Sequence, residues 1–250
     1  MADLAGLPGK ELPNQRFGYF AAYRNVVVKN NSPGQIWLLQ PNVAYAFNSE
    51  DGITVLASMP DKQRIDDFAD DREAALLRMF ADLPERPDIS AAERVSDIVG
   101  TRDYPSIVRK KFVAPGVALI GDAAMVGDPL WGVGCGWAFQ AAEWLSDAVI
   151  PAFASGDLAA IDAATRRYAR THKRRLKMHE MFAVDFSSGR PFNPIERNLF
   201  AGAVNDPWVA DRFWQYGTRN ASPLSLFNPR LLVRAYRARS KSAAVPAGAD

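Results

Sequence analysis

The sequence predicts a mixed fold of the α/β (α+β) class, and three observations indicate it. Four apolar and aromatic segments, separated by Asn, Pro and Gly turns, lie in the amino-terminal part of the chain and are typical of an antiparallel sheet. An apolar run then ends in Gly121-Asp122 and leads through a glycine-rich bend into a helical segment. Apolar residues at helical spacing recur in the remaining chain, which predicts a carboxy-terminal group of helices.

The amino-terminal part is expected to form the sheet and one helix. A tight turn at Asp51-Gly52 precedes the last of its four strands. Residues 65–83 carry apolar side chains at helical spacing and predict a helix. Residues 94–108 predict one or two further strands that lead back to the glycine-rich segment. The four strand segments are residues 17–28, 35–40, 43–47 and 53–58.

The run from Val117 to Ile120 is short, continuous and rich in branched residues, which predicts a strand buried on both faces. Gly121 lets the chain turn, and Asp122 then lies at the carboxyl edge of a sheet, where open α/β sheets bind ligands. A carboxylate at that edge accepts hydrogen bonds from hydroxyl groups, such as those of a sugar or ribityl chain.

A glycine-rich bend follows this strand. Gly132, Gly134 and Gly136 lack a Cβ, so their backbone can approach a flat ligand closely. The helix predicted from Trp137 to Phe153 directs its free N–H groups and its positive dipole end toward such a ligand. An ordinary strand-turn-helix is the alternative, but the order of strand, Gly-Asp, Pro and glycines favours a ligand site.

This segment resembles the second flavin-binding motif of the class A flavoprotein monooxygenases, the para-hydroxybenzoate hydroxylase-like family. Their pattern is a strand, Gly-Asp-Ala-Ala-His, Pro-x-x-Gly-x-Gly-x-Asn and a helix; here Met125 replaces the His and Gly136 replaces the Asn. By this resemblance Asp122 binds the ribityl chain of FAD, and the backbone of residues 132–136 faces the pyrimidine edge of the flavin. The cofactor-binding residues implied are Gly121, Asp122, Pro129, Gly132, Val133, Gly134, Cys135 and Gly136.

The family's first flavin motif, Gly-x-Gly-x-x-Gly, is absent from the sequence. Residues 1–8 look like the segment that follows the family's middle Asp-Gly motif. The resemblance therefore implies an incomplete, N-terminally shortened FAD-binding domain of the para-hydroxybenzoate hydroxylase-like type, with an antiparallel-sheet substrate domain and C-terminal helices. A partner-dependent half and a stand-alone remnant are alternatives. Because the ADP half of FAD has no evident binding site, the isolated chain is expected to bind flavin weakly or not at all.

By the same resemblance, one face of the sheet lines the substrate pocket. Its candidate residues are Tyr23, Arg24, Trp37 and Gln40, together with Tyr19; packing within the sheet is the alternative reading. The expected domains are residues 1–110 for the substrate-domain sheet and helix, 111–155 for the last strand and helix of the FAD-binding domain, 156–240 for a helical region, and 241–250 for a disordered tail.

The carboxy-terminal region is expected to be helical. A basic helix over residues 157–182 is compatible with nucleic-acid binding, but the balanced overall charge favours a solvated helix face and no nucleic-acid partner. His172 and His179 are seven residues apart without a third ligand at helical spacing, so no metal site is expected. Residues 195–217 form an aromatic helix that packs in the core, covers a cavity or forms a homodimer face. Residues 231–239 form a basic helix.

The composition sets further bounds. Of the 250 residues, 48% are hydrophobic and 23% are charged, which is typical of a globular protein in water. A net charge of +2 indicates no particular polyanionic partner. The single cysteine, Cys135, excludes an internal disulfide and fits a reducing cytoplasm, where we expect the protein to act. Neither a signal peptide nor a membrane span of ~20 apolar residues is expected.

The resemblance implies a FAD-dependent monooxygenase that hydroxylates an aromatic or polycyclic small molecule with NAD(P)H and O₂. The cofactor carries the redox chemistry in such enzymes, which agrees with the absence of an acid–base pair in the sequence. A flavin-dependent reductase or halogenase shares the Gly-Asp motif, although the halogenase signature Trp-x-Trp-x-Ile-Pro fits residues 35–41 poorly. A non-catalytic fragment that packs against a separate flavin-binding chain is the third interpretation.

Overall fold

The computed structural model describes residues 2–29, 32–39, 41–129, 132–218 and 220–239, so the predicted tail over 241–250 lies outside the described residues. The chain forms two units, and residues 1–10 group with the strand-turn-helix segment. The sheet unit comprises Glu11–Ser106 and Val184–Pro191, and the helical unit comprises Met1–Lys10, Ile107–Ala183 and Phe192–Asp250.

An antiparallel sheet forms the centre of the sheet unit, as the sequence predicted. Its strand order is β3-β4-β5-β2-β6, and β7 also pairs with β2. Two short strands, β1 (Lys10–Leu12) and β8 (Ser106–Val108), pair separately with each other. The strands of the main sheet are β2 Gly18–Arg24, β3 Gly34–Leu38, β4 Val43–Asn48, β5 Thr54–Met59, β6 Glu93–Arg94 and β7 Val99–Thr101.

One face of this sheet packs against helix α1 (Arg72–Ala81) and forms the core of the sheet unit. Successive side chains of a strand point to opposite faces, so Tyr19, Ala21 and Tyr23 of β2 are all buried on this inner face. The predicted helix over 65–83 is interrupted because Asp71 caps α1, accepting a hydrogen bond from the Ala74 N–H at 2.9 Å. A separate 3₁₀ helix, Lys62–Phe68, precedes it.

In the helical unit, β9 (Val113–Ala114) and β10 (Val117–Ala118) form an antiparallel hairpin. Its turn contains Gly116, whose φ of 71° favours glycine. The prediction of a strand buried on both faces was wrong: Val117 and Ala118 are half-buried, and Ile120 is exposed. Only Leu119 of the run is buried, and within the described part of the chain β10 pairs only with β9, so it belongs to a two-stranded hairpin and not to the centre of a larger sheet.

Two long helices, α2 (Gly134–Phe153) and α3 (Leu158–Ser187), follow the hairpin. Ala141 of α2 and Tyr168 of α3 pack with Leu119 and Phe112 in one apolar cluster. The Tyr168 hydroxyl donates a hydrogen bond to the Leu119 carbonyl at 2.8 Å, and burial raises the pKa of this hydroxyl. The end of the hairpin is thereby fixed to α3.

Three shorter helices complete the helical unit: α4 (Pro194–Asn205), α5 (Pro207–Gly217) and α6 (Pro229–Arg239). The predicted helix over 195–217 is divided because Asp206 caps α5, accepting from the Trp208 N–H at 2.9 Å, and because proline follows it. Among the described residues, no helix combines the length and apolar character needed to cross a bilayer.

Gly202 allows α4 and α6 to pack closely. A Cβ at this position would lie 2.5 Å from the Cα of Ala235 on α6. We therefore expect Gly202→Ala to lower the free energy of unfolding by about 1–3 kcal/mol, although alanine is the better helix former. Urea denaturation followed by circular dichroism measures this change.

Gly217→Ala is the matched control, because a Cβ at Gly217 in the last turn of α5 meets no atom within 4 Å. We expect this variant to unfold at the same urea concentration as the wild type or at a slightly higher one. Equal destabilisation by both substitutions would contradict close packing at Gly202.

Candidate functional site

The Gly-Asp motif forms a 3₁₀ turn, Gly121–Ala123, directly after the hairpin. Gly121 has a φ of 53°, and a Cβ there would lie 3.1 Å from the Cβ of Ala138 on α2. Glycine is therefore required both by the backbone conformation and by the close approach of the turn to α2. Asp122 is exposed at this turn, so its carboxylate is accessible to a ligand.

Backbone and side-chain hydrogen bonds hold the turn in place. The N–H groups of Ala124 and Met125 donate to the Gly121 carbonyl at 2.9 and 3.0 Å. The Arg109 Nε donates to the Ala123 carbonyl at 2.8 Å, and its Nη1 donates to the Leu7 carbonyl at the same distance. Because both flanks of Asp122 are fixed in this way, the carboxylate is presented from a rigid backbone.

The glycine-rich bend leads directly into α2. Gly132 has a φ of 61°, a left-handed conformation that favours glycine. Gly134 and Gly136, which the sequence placed in the bend, instead lie in the first turn of α2 with Cys135 between them. Leu130 and Trp131 lie outside the described residues.

No side chain caps α2, because its N-cap residue is Val133. The first N–H groups of an α-helix have no partner within the helix, and here Gly134 and Cys135 provide them on exposed backbone. Such unpaired N–H groups favour a negatively charged ligand atom, and the positive end of the helix dipole strengthens this preference. The carboxylate of Asp122 accepts hydrogen bonds and the start of α2 donates them, a combination that suits a ligand carrying both hydroxyl groups and an electron-rich ring.

The predicted substrate residues lie in different surroundings. Tyr23 is fully buried on the inner face of the sheet, where burial and the Glu73 carboxylate raise the pKa of its hydroxyl to about 12. Trp37 is buried on the same face, and its Nε1 donates to the Pro84 carbonyl at 2.8 Å. Both side chains contribute to the core, as does Tyr19, and none of them presents a surface to a ligand. Arg24 is exposed at the end of β2, and Gln40 lies outside the described residues.

The outer face of the sheet carries an apolar row that the sequence pattern did not reveal. A row of directly paired apolar residues crosses this face from β7 to β3, through neighbouring strands. Phe20 is 46% exposed and Ile36 is 51% exposed, so the row is accessible toward both ends, whereas Tyr45 within it is buried. The alternation in β2 did not reveal it, because β2 carries aromatic residues on both faces. The row consists of Val99, Phe20, Ala57, Tyr45 and Ile36.

The histidines of α3 are packed between aromatic rings. His172 is buried, with its ring centroid 4.4 Å from that of Phe112 and 5.8 Å from that of Tyr168. His179 stacks on Tyr216 at 5.3 Å. Within the described residues, no three His, Cys, Asp or Glu side chains are grouped so as to hold a metal ion.

Comparisons with known proteins concern the fold. No protein-family model matches the sequence, and no curated protein matches it. A triple mutant of the flavin-dependent brominase Bmp2 is similar with a TM-score of 0.64 and 17% identity, over 97% of this chain and 59% of the brominase. A flavoprotein/dehydrogenase from Cytophaga hutchinsonii is similar with a TM-score of 0.62 and 14% identity, over 97% of this chain and 60% of that protein. The p-nitrophenol 4-monooxygenase PnpA from Pseudomonas putida is similar with a TM-score of 0.54 and 15% identity, over 96% of this chain and 57% of the monooxygenase.

The chain has the fold of flavin-dependent halogenases and aromatic hydroxylases. This finding confirms the predicted fold class. The chain spans between 57% and 60% of the length of these three proteins. At such low identity the likeness concerns the fold, and the activity must be argued from the chain's own residues.

The hydrogen bond from Tyr168 to Leu119 supports the turn from below. In Tyr168→Phe, the Leu119 carbonyl loses its partner in a buried position. We expect the free energy of unfolding to fall by about 1–3 kcal/mol. Tyr236→Phe is the control, since Tyr236 is exposed on α6. The same urea midpoint for Tyr168→Phe and wild type would show that this bond does not hold the hairpin.

Burial also makes the stability depend on pH. Burial lowers the pKa of His172 to about 4, below its value of about 6.5 in an unfolded chain. The unfolded state therefore binds the proton first, and stability falls as the pH decreases from about 6.5 to about 4. The loss attributable to His172 is on the order of 3 kcal/mol. In urea titrations at several pH values, His172→Gln should show a shallower acid loss than wild type; parallel curves would contradict this assignment.

Proposed function

We propose that this protein is a FAD-dependent oxidoreductase, and specifically a monooxygenase that hydroxylates an aromatic or polycyclic small molecule with NAD(P)H and O₂. One observation carries the proposal: a rigid turn presents the exposed Asp122 while it packs against α2, whose first turn has no side-chain cap. The shared fold with flavin-dependent enzymes supports it.

The Gly-Asp turn and the start of α2, together called the Asp122 corner, have residues that fit a flavin. Asp122 would accept hydrogen bonds from the ribityl hydroxyls. The backbone from Gly132 to Gly136, with Val133 and Cys135, would face the pyrimidine edge of the ring, with Pro129 and Gly121 shaping the two bends. A bound flavin supplies the redox chemistry, and the positive end of α2 would stabilise negative charge at the pyrimidine edge.

The outer face of the sheet supports an apolar substrate. Its exposed aromatic and branched side chains, including Phe20, Ile36 and Phe47, offer apolar surface to a ligand. Such a face favours aromatic or polycyclic compounds, because burial of apolar surface is the dominant favourable contribution to the free energy of their binding. We propose that this face, rather than Tyr23 or Trp37, binds the body of the substrate, with the exposed Arg24 as a rim position.

A further part of the proposal is that this flavin site works with a dinucleotide-binding region outside these 250 residues, in the same polypeptide or in a separate chain. Two observations support it. The sequence has no Gly-x-Gly-x-x-Gly motif for the pyrophosphate. In addition, α2 exposes Phe139 by 76%, Ile150 by 64% and Phe153 by 61%, and these residues lie on one side of the helix. A second copy of this chain is the competing occupant of that face.

A halogenase is the second candidate function. The similarity to a flavin-dependent brominase and to the chondrochloren halogenase CndH, with a TM-score of 0.58 and 19% identity, favours it. The poor fit of residues 35–41 to the tryptophan signature of halogenases disfavours it. A flavin-dependent reductase is the third reading and requires no oxygen.

The substitution Asp122→Ala tests the cofactor assignment. The protein encoded by the longest open reading frame that contains these residues is titrated with FAD, and flavin fluorescence reports binding. We expect the variant to bind FAD about ten- to a hundredfold more weakly, because a hydrogen-bonded charged acceptor is worth ~1.5–3 kcal/mol. Asp147→Asn, an exposed carboxylate near the other end of α2, is the control and should bind like wild type.

Unchanged affinity in Asp122→Ala would remove this residue from the cofactor site. A folded full-length protein that binds no flavin would overturn the flavoenzyme assignment itself. With the flavin-loaded protein, NADPH, O₂, bromide and an aromatic substrate present together, the product mass decides the reaction. Added oxygen supports the monooxygenase, added bromine the halogenase, and reduction without O₂ consumption the reductase.

A further inference from the structure

The helical unit contains a cavity of about 920 Å³ that no part of the proposed function uses. The segment Gly6–Lys10, the strand and loop around Val108–Phe112, and the second half of α3 form its walls. Ala124 and Met125, just after the Gly-Asp turn, also line it, whereas its described lining includes neither Asp122 nor the Gly132–Gly136 bend.

The charge of this cavity is strongly one-sided. Among the described residues that line it, Glu180 is the one carboxylate, and it is paired with Lys177. The Arg109 guanidinium donates to two backbone carbonyls, so its charge is held in place without being neutralised by those partners. The cationic side chains that line the cavity are Lys10, Arg109, Lys110, Lys111, Lys173 and Lys177.

The base of the cavity is apolar and uncharged. Phe112, Leu176 and Met125 are buried there. His172 lies among them and remains neutral at pH 7, because burial keeps its pKa near 4. A ligand that fits must therefore combine an apolar body with negative charge toward the opening.

A neighbouring cavity of about 380 Å³ continues the same surface. The two cavities share Lys110, Lys111, Phe112 and Lys173, and the second one adds Arg166 and Arg170 with one carboxylate, Asp162. The basic side of α3 thus faces two joined cavities along part of its length, instead of forming only a solvated helix face. The balanced net charge of +2 conceals this local excess.

We propose that these two joined cavities, which together form a basic groove, bind an organic phosphate. Such a ligand has a planar or apolar body and a phosphate or diphosphate group. Six cationic side chains around an apolar base suit this chemistry, since lysine ammonium groups and the Arg109 guanidinium bind phosphate oxygens through charge-assisted hydrogen bonds. The volume suits a nucleotide-sized ligand. The site is argued from charge and shape alone and does not depend on the flavin assignment.

The test uses a fluorescent ADP analogue and the whole protein. We expect the analogue to bind to the protein at low ionic strength. Its affinity should fall between about 0.05 M and about 0.5 M NaCl, because salt screens exposed charge pairs. ADP should displace the analogue, and adenosine should not. The double variant Lys110→Gln/Lys173→Gln removes two cations that line both cavities, and it should bind at least about tenfold more weakly.

The control variant Arg174→Gln/Arg175→Gln removes the same charge from the same helix, at exposed positions that do not line either cavity. It should bind like wild type. If both double variants weakened ADP binding equally, the effect would be a non-specific electrostatic attraction by the helix, which would overturn the site. The absence of ADP binding at low salt would overturn it as well.

Two sources of the phosphate are distinguished by competition. Displacement of the analogue by NADPH identifies a nicotinamide nucleotide as the ligand class, and displacement by coenzyme A identifies a pantetheine-linked compound. Asp122→Ala should leave ADP binding unchanged. Loss of flavin binding in that variant with intact ADP binding therefore separates the fate of this proposal from that of the flavin site.

Discussion

The packing of the Gly121–Ala123 turn on α2 is the constraint on which the candidate site depends. Gly121 has a left-handed backbone, and a Cβ added to it would lie 3.1 Å from the Cβ of Ala138, so a side chain at this position would be strained twice. The approach brings the Gly-Asp turn against Ala138, one turn into a helix whose start has no side-chain cap. The Asp122 carboxylate and the free N–H groups of α2 therefore belong to two elements that pack on each other, and such packing is the preorganisation that a ligand site requires.

The surroundings of this corner explain why it keeps its shape. Tyr168 fixes the end of the hairpin to α3, and Arg109 fixes the chain after Asp122 to the segment that contains Leu7. These ties come from parts of the sequence far from the motif. The same arginine lines the basic groove, so one side chain both supports the turn and contributes charge to the proposed phosphate site.

The sequence predicted the four main strands, the fold class and the position of the Gly-Asp turn, because turn residues and apolar periodicity are local signals. It failed where the answer depends on neighbours in space. The depth of burial of Val117–Ile120 depends on which strands lie beside it, and among the described residues β10 pairs only with β9. The role of Tyr23 depends on which face of the sheet α1 covers, and Gly-Tyr-Phe-Ala-Ala-Tyr-Arg gives aromatic residues to both faces. The basic groove was also not evident, since Lys110 and Lys173 come together only in the fold.

The central claim, that the Asp122 corner holds a flavin, is tested most directly by a crystal structure of the flavin-loaded protein encoded by the full reading frame. We expect difference density for the ribityl chain within hydrogen-bond distance of the Asp122 carboxylate, about 2.5–3.2 Å, and the pyrimidine edge at the first turn of α2. Density for the isoalloxazine ring elsewhere, in the basic groove or on the sheet, would contradict it.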